Sequence, residues 1–190
     1  MLIFMGIETE LRAPAFLIAV PQLGDPNFFR GVVFILEHND EGSMGLMINR
    51  PSKLPYSTFF KSQNMAFKGP SGGAVVNQGG PVQTDRAFLL HESQHKGPET
   101  ESVVGDLCLS YSLESLRLIA ATPPPHLRIY LGYAGWGPGQ LAEEVTAGAW
   151  LVGRPNRQLV FDVPPDRVWE SALRDMGIEP VQLMHSGAVH

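Results

Sequence analysis

Short apolar runs separated by polar or glycine-containing turns dominate the chain, and this pattern is typical of β-strands. The predicted strands cover residues 15–20, 31–37, 44–49, 86–91, 103–109, 127–131, 149–152 and 158–163. Several of them are apolar at consecutive positions, which favours strands that are covered on both faces. The polar stretch 38–42 joins the second and third strands, so we expect these two to form a β-hairpin with its turn at 39–42.

Three segments have the apolar spacing or the flanking residues of a helix. They are residues 55–63, opened by Pro55; residues 113–121, capped by Ser112; and residues 165–176, followed by Gly177. The last is the clearest, because its apolar side chains form one stripe at helical spacing. Serine accepts a hydrogen bond from the first turn of a helix, and glycine adopts the left-handed conformation that ends many helices.

A fourth helix is predicted at residues 138–147, where the sequence indicates how the helix begins. Gly137 is the expected N-cap, and the Gln140 side chain is expected to reach back to the backbone N–H of Gly137. Trp136 and Leu141 have the spacing of a hydrophobic staple, in which the residue before the cap packs on the fourth helical residue.

Strands mixed with helices in a chain of 190 residues predict one domain of the mixed α/β (α+β) class. Hydrophobic residues make up 44% of the chain and charged residues 17%, which is typical of a globular protein. The net charge of −5 argues against direct nucleic-acid binding, which uses many Lys and Arg contacts to phosphates. The closest approach to a basic cluster is the pair Arg154 and Arg157, which we expect in a solvated turn.

The chain is expected to act in the cytoplasm and not in a membrane. It has one cysteine, Cys108, which suits a reducing compartment. The first residues lack the basic and apolar regions of a secretory signal, and the apolar stretch 13–20 is far shorter than the roughly 20 residues that span a bilayer.

The most specific short motif is HESQH, residues 91–95, which matches the H-E-x-x-H pattern of zinc peptidases. On a helix, His91 and His95 would share one face and hold Zn²⁺, while Glu92 would act on the metal-bound water. This motif is the basis of an alternative hypothesis, a zinc-dependent hydrolase. The competing interpretation is that 86–91 form a strand and that a polar connection follows, which places the two histidines out of helical register.

Several blocks of sequence resemble the YqgE/AlgH family of small bacterial proteins. The blocks are FLIA (16–19), EGSMGLMINRP (41–51), GGPV (79–82), FLLH (88–91) and LGYAGWGPGQL (131–141). The resemblance covers residues 14–190 as a single domain, with 1–13 as an N-terminal extension. It implies an α+β fold in which a strongly bent mixed β-sheet forms a pseudo-barrel with helices packed outside, and it makes residues 88–91 a strand.

The motif blocks are rich in glycine, proline, asparagine and aromatic residues but poor in acid–base or nucleophile pairs. We therefore expect a non-enzymatic protein that acts by binding a protein or a small ligand, with no cofactor, no metal and no catalytic residue assigned. The family carries a label of transcriptional regulator, and indirect regulation fits this acidic chain better than the second alternative, direct DNA binding. Self-association stays open. The binding surface is expected where the following residues converge: Asn49, Arg50, Gly79, Gly80 and His91.

Overall fold

The computed structural model describes residues 11–70, 72–92 and 96–185. Its strands are β1 (Ala15–Ala19), β2 (Val32–Asn39), β3 (Gly42–Met47), β4 (Pro51–Pro55), β5 (Val75–Gln78), β6 (Val82–Glu92), β7 (Thr100–Val104), β8 (Leu107–Ser110), β9 (Leu127–Trp136) and β10 (Trp150–Gly153). Its helices are α1 (Tyr56–Ser62), α2 (Leu113–Ala121), α3 (Gln140–Thr146), α4 (Arg157–Phe161), α5 (Val168–Asp175) and α6 (Pro180–His185). The predicted α+β class is confirmed.

The described residues divide into two compact units. The first unit contains the residues up to Asn49 and those from Ala134 onward, and the second unit is Arg50–Tyr133. Strand β9 belongs to both, because residues 127–133 lie in the second unit and residues 134–136 in the first.

In the first unit, the strands pair in the order β10, β1, β2, β3 and the end of β9, and every pair is antiparallel. The predicted hairpin is confirmed: β2 and β3 are joined at Asn39, which pairs with Gly42. The pairing register shifts between Ile35 and Glu37, which marks a β-bulge in β2.

Aromatic side chains pack between the strands of the first unit, and one of them fixes α5 on β1. Trp136 and Trp150 lie edge to face with ring centroids 6.0 Å apart, and Phe28 lies 5.3 Å from Trp150. On α5, Trp169 is almost fully buried and its indole N–H donates to the carbonyl of Ala19 at 2.8 Å. A buried indole is stabilised when its one donor finds an acceptor, so this bond fixes α5 on β1.

In the second unit, β9 pairs with β6 on one side and with β5 on the other. β8 and then β7 follow β6, and β4 follows β5. β5 runs parallel to β9 and the other pairs are antiparallel, so the sheet of this unit is mixed, as predicted. The Tyr56 hydroxyl on α1 donates to the carbonyl of Leu127 and accepts from the N–H of Ile129, both at 3.1 Å. It therefore satisfies two backbone groups of β9 and anchors the start of α1.

The predicted helix 113–121 is confirmed as α2, together with its cap. The Ser112 hydroxyl accepts from the N–H of Ser115 at 3.1 Å. Leu116, Ile119 and Ala120 are buried in a cluster with the aromatic side chains of α1. Sequence reasoning identified this helix because its cap and its apolar stripe agree.

The predicted strand 103–109 is wrong, because this segment contains the end of one strand, a tight turn and most of the next strand. β7 ends at Val104 and β8 begins at Leu107, with Val104 paired to Leu107. Gly105 has a φ of 58° and forms the turn with Asp106. A Gly-Asp pair between two apolar runs is a recognised signal for a two-residue hairpin, and it interrupts what otherwise reads as one strand.

The predicted strand 158–163 is also wrong, because the segment forms the short helix α4. The Asn156 side chain accepts from the N–H of Gln158 at 2.9 Å and caps the helix. Leu159, Val160 and Phe161 are all buried. A continuous apolar run of this length is equally compatible with a buried strand and with a buried helix, and the Asn cap decides between them.

Two helix boundaries also differ from the prediction. The helix predicted at 138–147 begins at Gln140, with Gly139 as its N-cap, and the helix predicted at 165–176 begins at Val168. The predicted hydrogen bond from the backbone N–H of Gly137 to the Gln140 side chain nevertheless forms, at 3.0 Å. Strands β4 and β5 and helix α6 were not predicted. No helix among the described residues is long and apolar enough to cross a membrane.

Candidate functional site

Asn49, the first residue of the predicted binding surface, is 7% exposed and lies in the first unit. Its side-chain oxygen accepts from the N–H of Val32 at 3.0 Å, and its side-chain nitrogen donates to the carbonyl of Arg30 at 2.9 Å. The amide therefore holds the loop that leads into β2. This structural task accounts for the presence of asparagine here.

Arg50, Gly79 and Gly80 lie close together in the second unit. The N–H of Gln78 donates to the Arg50 carbonyl and the N–H of Gly79 donates to the Leu131 carbonyl, both at 2.8 Å. Burial lowers the pKa of the Arg50 guanidinium from its ordinary value, which still leaves the group charged. The structure thus brings together three of the predicted surface residues.

His91 does not join that group. It pairs with Leu127 on β9, whereas Gly79 contacts Leu131, which is about 13 Å further along the strand at the usual rise per residue. The His91 ring is fully buried, with its Nε2 atom 2.8 Å from the Ser110 hydroxyl and its Nδ1 atom 2.9 Å from the Glu92 carbonyl. Both ring nitrogens are therefore engaged inside the protein.

The geometry around His91 gives no support to zinc hydrolysis. Residues 86–91 are extended within β6, as predicted, and the Glu92 carboxylate lies 3.0 Å from Nδ1 of His126. The described part of the chain contains no group of three His, Cys, Asp or Glu side chains arranged to hold a metal ion. His95 lies outside the described residues.

The Ser110–His91 pair has the separation of a nucleophile and its base, but both residues have 0% exposure. A substrate has no access to the hydroxyl. We therefore expect the folded protein to form no adduct with diisopropyl fluorophosphate, as followed by the mass of the intact protein. An increase in mass that disappears in Ser110→Ala would show instead that this pair is a hydrolase site.

The longest motif block, residues 131–141, is explained by packing around one carboxylate. Glu144 on α3 accepts the indole N–H of Trp136 at 2.9 Å and that of Trp150 at 2.8 Å on the same oxygen. Its other oxygen accepts from the Gln140 side chain at 3.0 Å, and Gln140 in turn accepts from the N–H of Gly137. These contacts connect α3 to β9 and β10, so the block has an architectural role.

A cavity of about 720 Å³ lies in the first unit, between the face of β1 and β10 and the helices α4 and α5. Phe16 and Ile18 of β1 form part of its wall, and Gly153 lies opposite Phe16 in the strand pairing. Ala172 and Met176 contribute the wall on the helical side. Strand residues of alternate positions point to one face of a sheet, which is why Phe16 and Ile18 reach the same cavity.

The polar part of this cavity comes from the segment between β10 and α5. Arg154, Asn156 and Arg157 line it together with Asp175. The Asn156 side chain donates to the Asp175 carboxylate at 2.7 Å while its oxygen caps α4, so this residue fixes the segment from both sides. The Arg157 guanidinium lies 5.3 Å from the centre of the Phe161 ring.

A second cavity, in the second unit, measures about 170 Å³ and is lined by residues that include Phe59, Asp85 and Leu116. Ligand sites in proteins usually have volumes of roughly 300–1,000 Å³. The cavity of the first unit falls within that range and the second cavity falls below it. We therefore take the first-unit cavity as the candidate functional site.

The sequence did not predict this site, although two of its lining residues stand out as a basic pair. Arg154 and Arg157 stand out as the only close basic pair in an acidic half of the sequence, and Asn156 between them is a helix-capping residue type. Together these features indicate arginines fixed beside a helix start and not in a free turn. The prediction of a strand at 158–163 concealed this interpretation.

Comparison with known proteins agrees with the resemblance found in the sequence. A sequence model of the AlgH-like family matches residues 16–181. A protein of Myxococcus xanthus named UPF0301 protein is 43% identical over 90% of this chain and 94% of its own. The solution structure of the AlgH protein from Pseudomonas aeruginosa covers 95% of this chain and 99% of its own, with 37% identity and a TM-score of 0.74. A crystal structure from Corynebacterium diphtheriae, at 21% identity, covers 87% of both chains with a TM-score of 0.69 and shows the same fold. The chain belongs to the AlgH-like family.

Proposed function

We propose that this protein is a non-enzymatic binding protein of the bacterial cytoplasm, and that it takes a small organic molecule into the cavity of the first unit. The observation that carries the proposal is the cavity itself, which has a volume of about 720 Å³ and is lined by apolar side chains together with two arginines, an asparagine and an aspartate. Ligand pockets generally have volumes in this range and use a few polar groups to fix the orientation of the ligand.

The composition of the lining supports binding over catalysis. Among the described residues that form the cavity, the ionisable side chains are Arg154, Arg157 and Asp175. Asp175 is the one usual nucleophile or proton carrier among the described lining residues, which include no serine, threonine, cysteine, histidine, lysine or tyrosine. The Asp175 carboxylate accepts from Asn156, so it serves to order the rim.

An indirect role in regulation fits this proposal better than direct contact with DNA. Acidic side chains clearly outnumber basic ones in the first unit, and their field repels a polyanion. A ligand bound between the strands and α5 would instead change how firmly α4 and α5 pack, and a protein partner would respond to that change. The single buried cysteine is consistent with a reducing compartment.

Saturation-transfer NMR with a set of small organic fragments, containing acids, bases and neutral compounds in equal numbers, tests the proposal. A Cβ at position 153 would lie 3.1 Å from Cδ1 of Ile18 and 3.5 Å from Sδ of Met176, so the side chain of Gly153→Val enters the cavity. We expect fragments to bind the wild type and to lose binding in Gly153→Val. Because the added side chain presses on buried Ile18, the melting temperature should fall by a few degrees, and the circular dichroism spectrum should show that the variant is still folded. Fragments that bind both proteins equally, or neither, would contradict the proposal.

A further inference from the structure

We infer that a chain of hydrogen bonds around buried His91 is an acid-sensitive clasp, which holds residues 97–104 on the second unit and releases them when the His91 imidazole takes up a proton. The residues of the clasp all lie in the second unit, so the inference is independent of the cavity of the first unit. The direction in which each hydrogen bond must point makes the clasp sensitive to acid.

The imidazole of His91 is held in one tautomer. Its Nδ1 atom lies 2.9 Å from the backbone carbonyl of Glu92, and a carbonyl only accepts, so Nδ1 carries the hydrogen. The other nitrogen of a neutral imidazole is then an acceptor. The Ser110 hydroxyl, 2.8 Å from Nε2, therefore donates to His91.

The direction of this bond fixes the rest of the chain. Because the Ser110 hydrogen points at His91, the Thr100 hydroxyl, 2.7 Å from the Ser110 hydroxyl, is the donor of the next bond. The Thr100 oxygen in turn accepts from the backbone N–H of Gly97 at 3.1 Å. Every hydrogen of the chain thus has an acceptor, and the chain joins Gly97 and β7 to β8 and β6.

A proton on Nε2 is incompatible with this arrangement. An imidazolium donates from both nitrogens, so Ser110 would have to accept from His91 and donate to Thr100. The Thr100 oxygen would then accept from Ser110 and Gly97, and its own hydrogen would have no partner in the chain. His91 is 0% exposed, so the new charge would also lie away from water. Both effects favour an open state in which the imidazolium is hydrated.

Residues 97–104 are the part of the second unit that opens most easily around His91. β7 is the last strand of its sheet and, within the described ranges of the chain, pairs only with β8. Most of its side chains are exposed, and segments with few buried contacts open at low cost. The Ser115 hydroxyl of α2 also holds the segment, by donating to the Pro98 carbonyl at 2.6 Å, but that bond involves no group that titrates in weak acid.

The other ionisable groups next to the imidazole do not respond to weak acid. Cys108 lies opposite it on β8, and the Tyr56 hydroxyl donates to the carbonyl of its β9 neighbour Leu127. Thiols and phenols titrate above about pH 8, and burial raises the pKa of Tyr56 further. Arg128, which donates to the same carbonyl at 3.2 Å, keeps its charge throughout.

The carboxylates near the clasp do not cause its release either. Glu92 follows His91 in β6 and faces the other side of the sheet, where its carboxylate lies 3.0 Å from Nδ1 of His126. A proton on His126 strengthens that contact, so it opposes opening. The remaining charged side chains of this segment, its turn and α2 are exposed in the closed state already, so opening changes their surroundings little: Lys96, Glu99, Glu101, Asp106, Glu114 and Arg117.

Amide hydrogen exchange of residues 97–104, corrected for the intrinsic pH dependence of exchange, tests the inference. If only the open state takes up the proton, with the ordinary histidine pKa of about 6.5, opening becomes about tenfold more favourable between pH 7.5 and pH 5.5. We expect protection in the wild type to fall by that factor. His91→Gln cannot become charged, so its protection should change less than twofold. The matched control is His38→Gln, which removes a half-buried histidine bonded to the Ser43 hydroxyl in the first unit and should keep the wild-type dependence.

Nitrogen-15 NMR of the wild-type imidazole groups gives a second readout, which decides the question even where His91→Gln does not fold. At pH 7.5 we expect a hydrogen on Nδ1 of His91 and none on Nε2. A hydrogen on Nε2 would overturn the inference, because the chain would then point the other way. Protection of residues 97–104 that is equal at the two pH values, or that falls as much in His91→Gln as in the wild type, would overturn it as well.

Discussion

Replacing Gly132 by alanine is expected to destabilise the protein by about 3 kcal/mol or more, which is a large share of the stability of a typical domain. Gly132 has a φ of 72°, a conformation that alanine adopts at a cost of roughly 1–2 kcal/mol. The added Cβ would also lie 2.5 Å from the carbonyl oxygen of Gly80 and 2.9 Å from that of Val82. Both are backbone atoms, and moving them would disturb the pairing of Val82 with Tyr133 on β9.

Gly139→Ala is the matched control for this substitution. Gly139 has nearly the same φ, 73°, but a Cβ there would have no neighbouring atom within 4 Å. We therefore expect a loss of only about 1 kcal/mol, from the backbone conformation alone. Urea unfolding followed by circular dichroism measures both variants. Equal losses at the two positions would show that the close approach of residues 80–82 to β9 is not what requires glycine.

Replacing Glu144 by alanine is expected to destabilise the protein by about 3 kcal/mol. The change leaves the indole N–H groups of Trp136 and Trp150 without their common acceptor, and each orphaned buried donor costs roughly 1–3 kcal/mol. Trp136 is only 7% exposed and Trp150 only 2%, so water reaches neither group freely. Glu144→Gln keeps one acceptor oxygen and should cost about 1 kcal/mol.

Glu143→Ala is the control, because Glu143 is the preceding residue of α3 and is exposed. We expect its effect on the free energy of unfolding to stay within about 0.5 kcal/mol, which is typical of a surface substitution. The urea midpoints of the three variants give the comparison. If Glu144→Ala and Glu143→Ala are equally stable, the carboxylate does not hold α3 to β9 and β10.

Local signals in the sequence predicted those elements whose cap, turn and apolar spacing agree. The β2–β3 hairpin and helix α2 are of this kind, and so is the hydrogen bond from Gly137 to Gln140. The errors arose where an apolar run was read without its flanking residue. Gly105 divides one run into two strands, and Asn156 makes another run helical.

The candidate site was less predictable than the fold, because its parts are distant in the sequence. Phe16 and Ile18 come from the first strand, while Arg154 and Met176 come from segments more than 130 residues later. Only the pairing of β1 with β10 brings them to one cavity, and no local pattern encodes that pairing. The sequence showed the two arginines but gave no reason to place them beside an apolar wall.

The motifs that looked most functional have structural explanations in the described residues. Glu144 and the two tryptophans account for the block around residue 136, and Asn49 holds the loop before β2. His91, the first residue of HESQH, is buried against Ser110 at the end of a strand. A functional role for the surface around Arg50 and Gly79 stays a prediction.

If the cavity of the first unit is the ligand site, a bound fragment should change the chemical environment of the residues that line it. The measurement is the set of backbone-amide NMR shifts during titration with the fragment that binds most tightly in the saturation-transfer experiment, in the wild type and in Gly153→Val. We expect the largest shifts to fall in residues 153–157 and 172–177 of the wild type and to vanish in the variant. Shifts that gather instead around Arg50, Gly79 and Gly80, or that are the same in Gly153→Val, would contradict it.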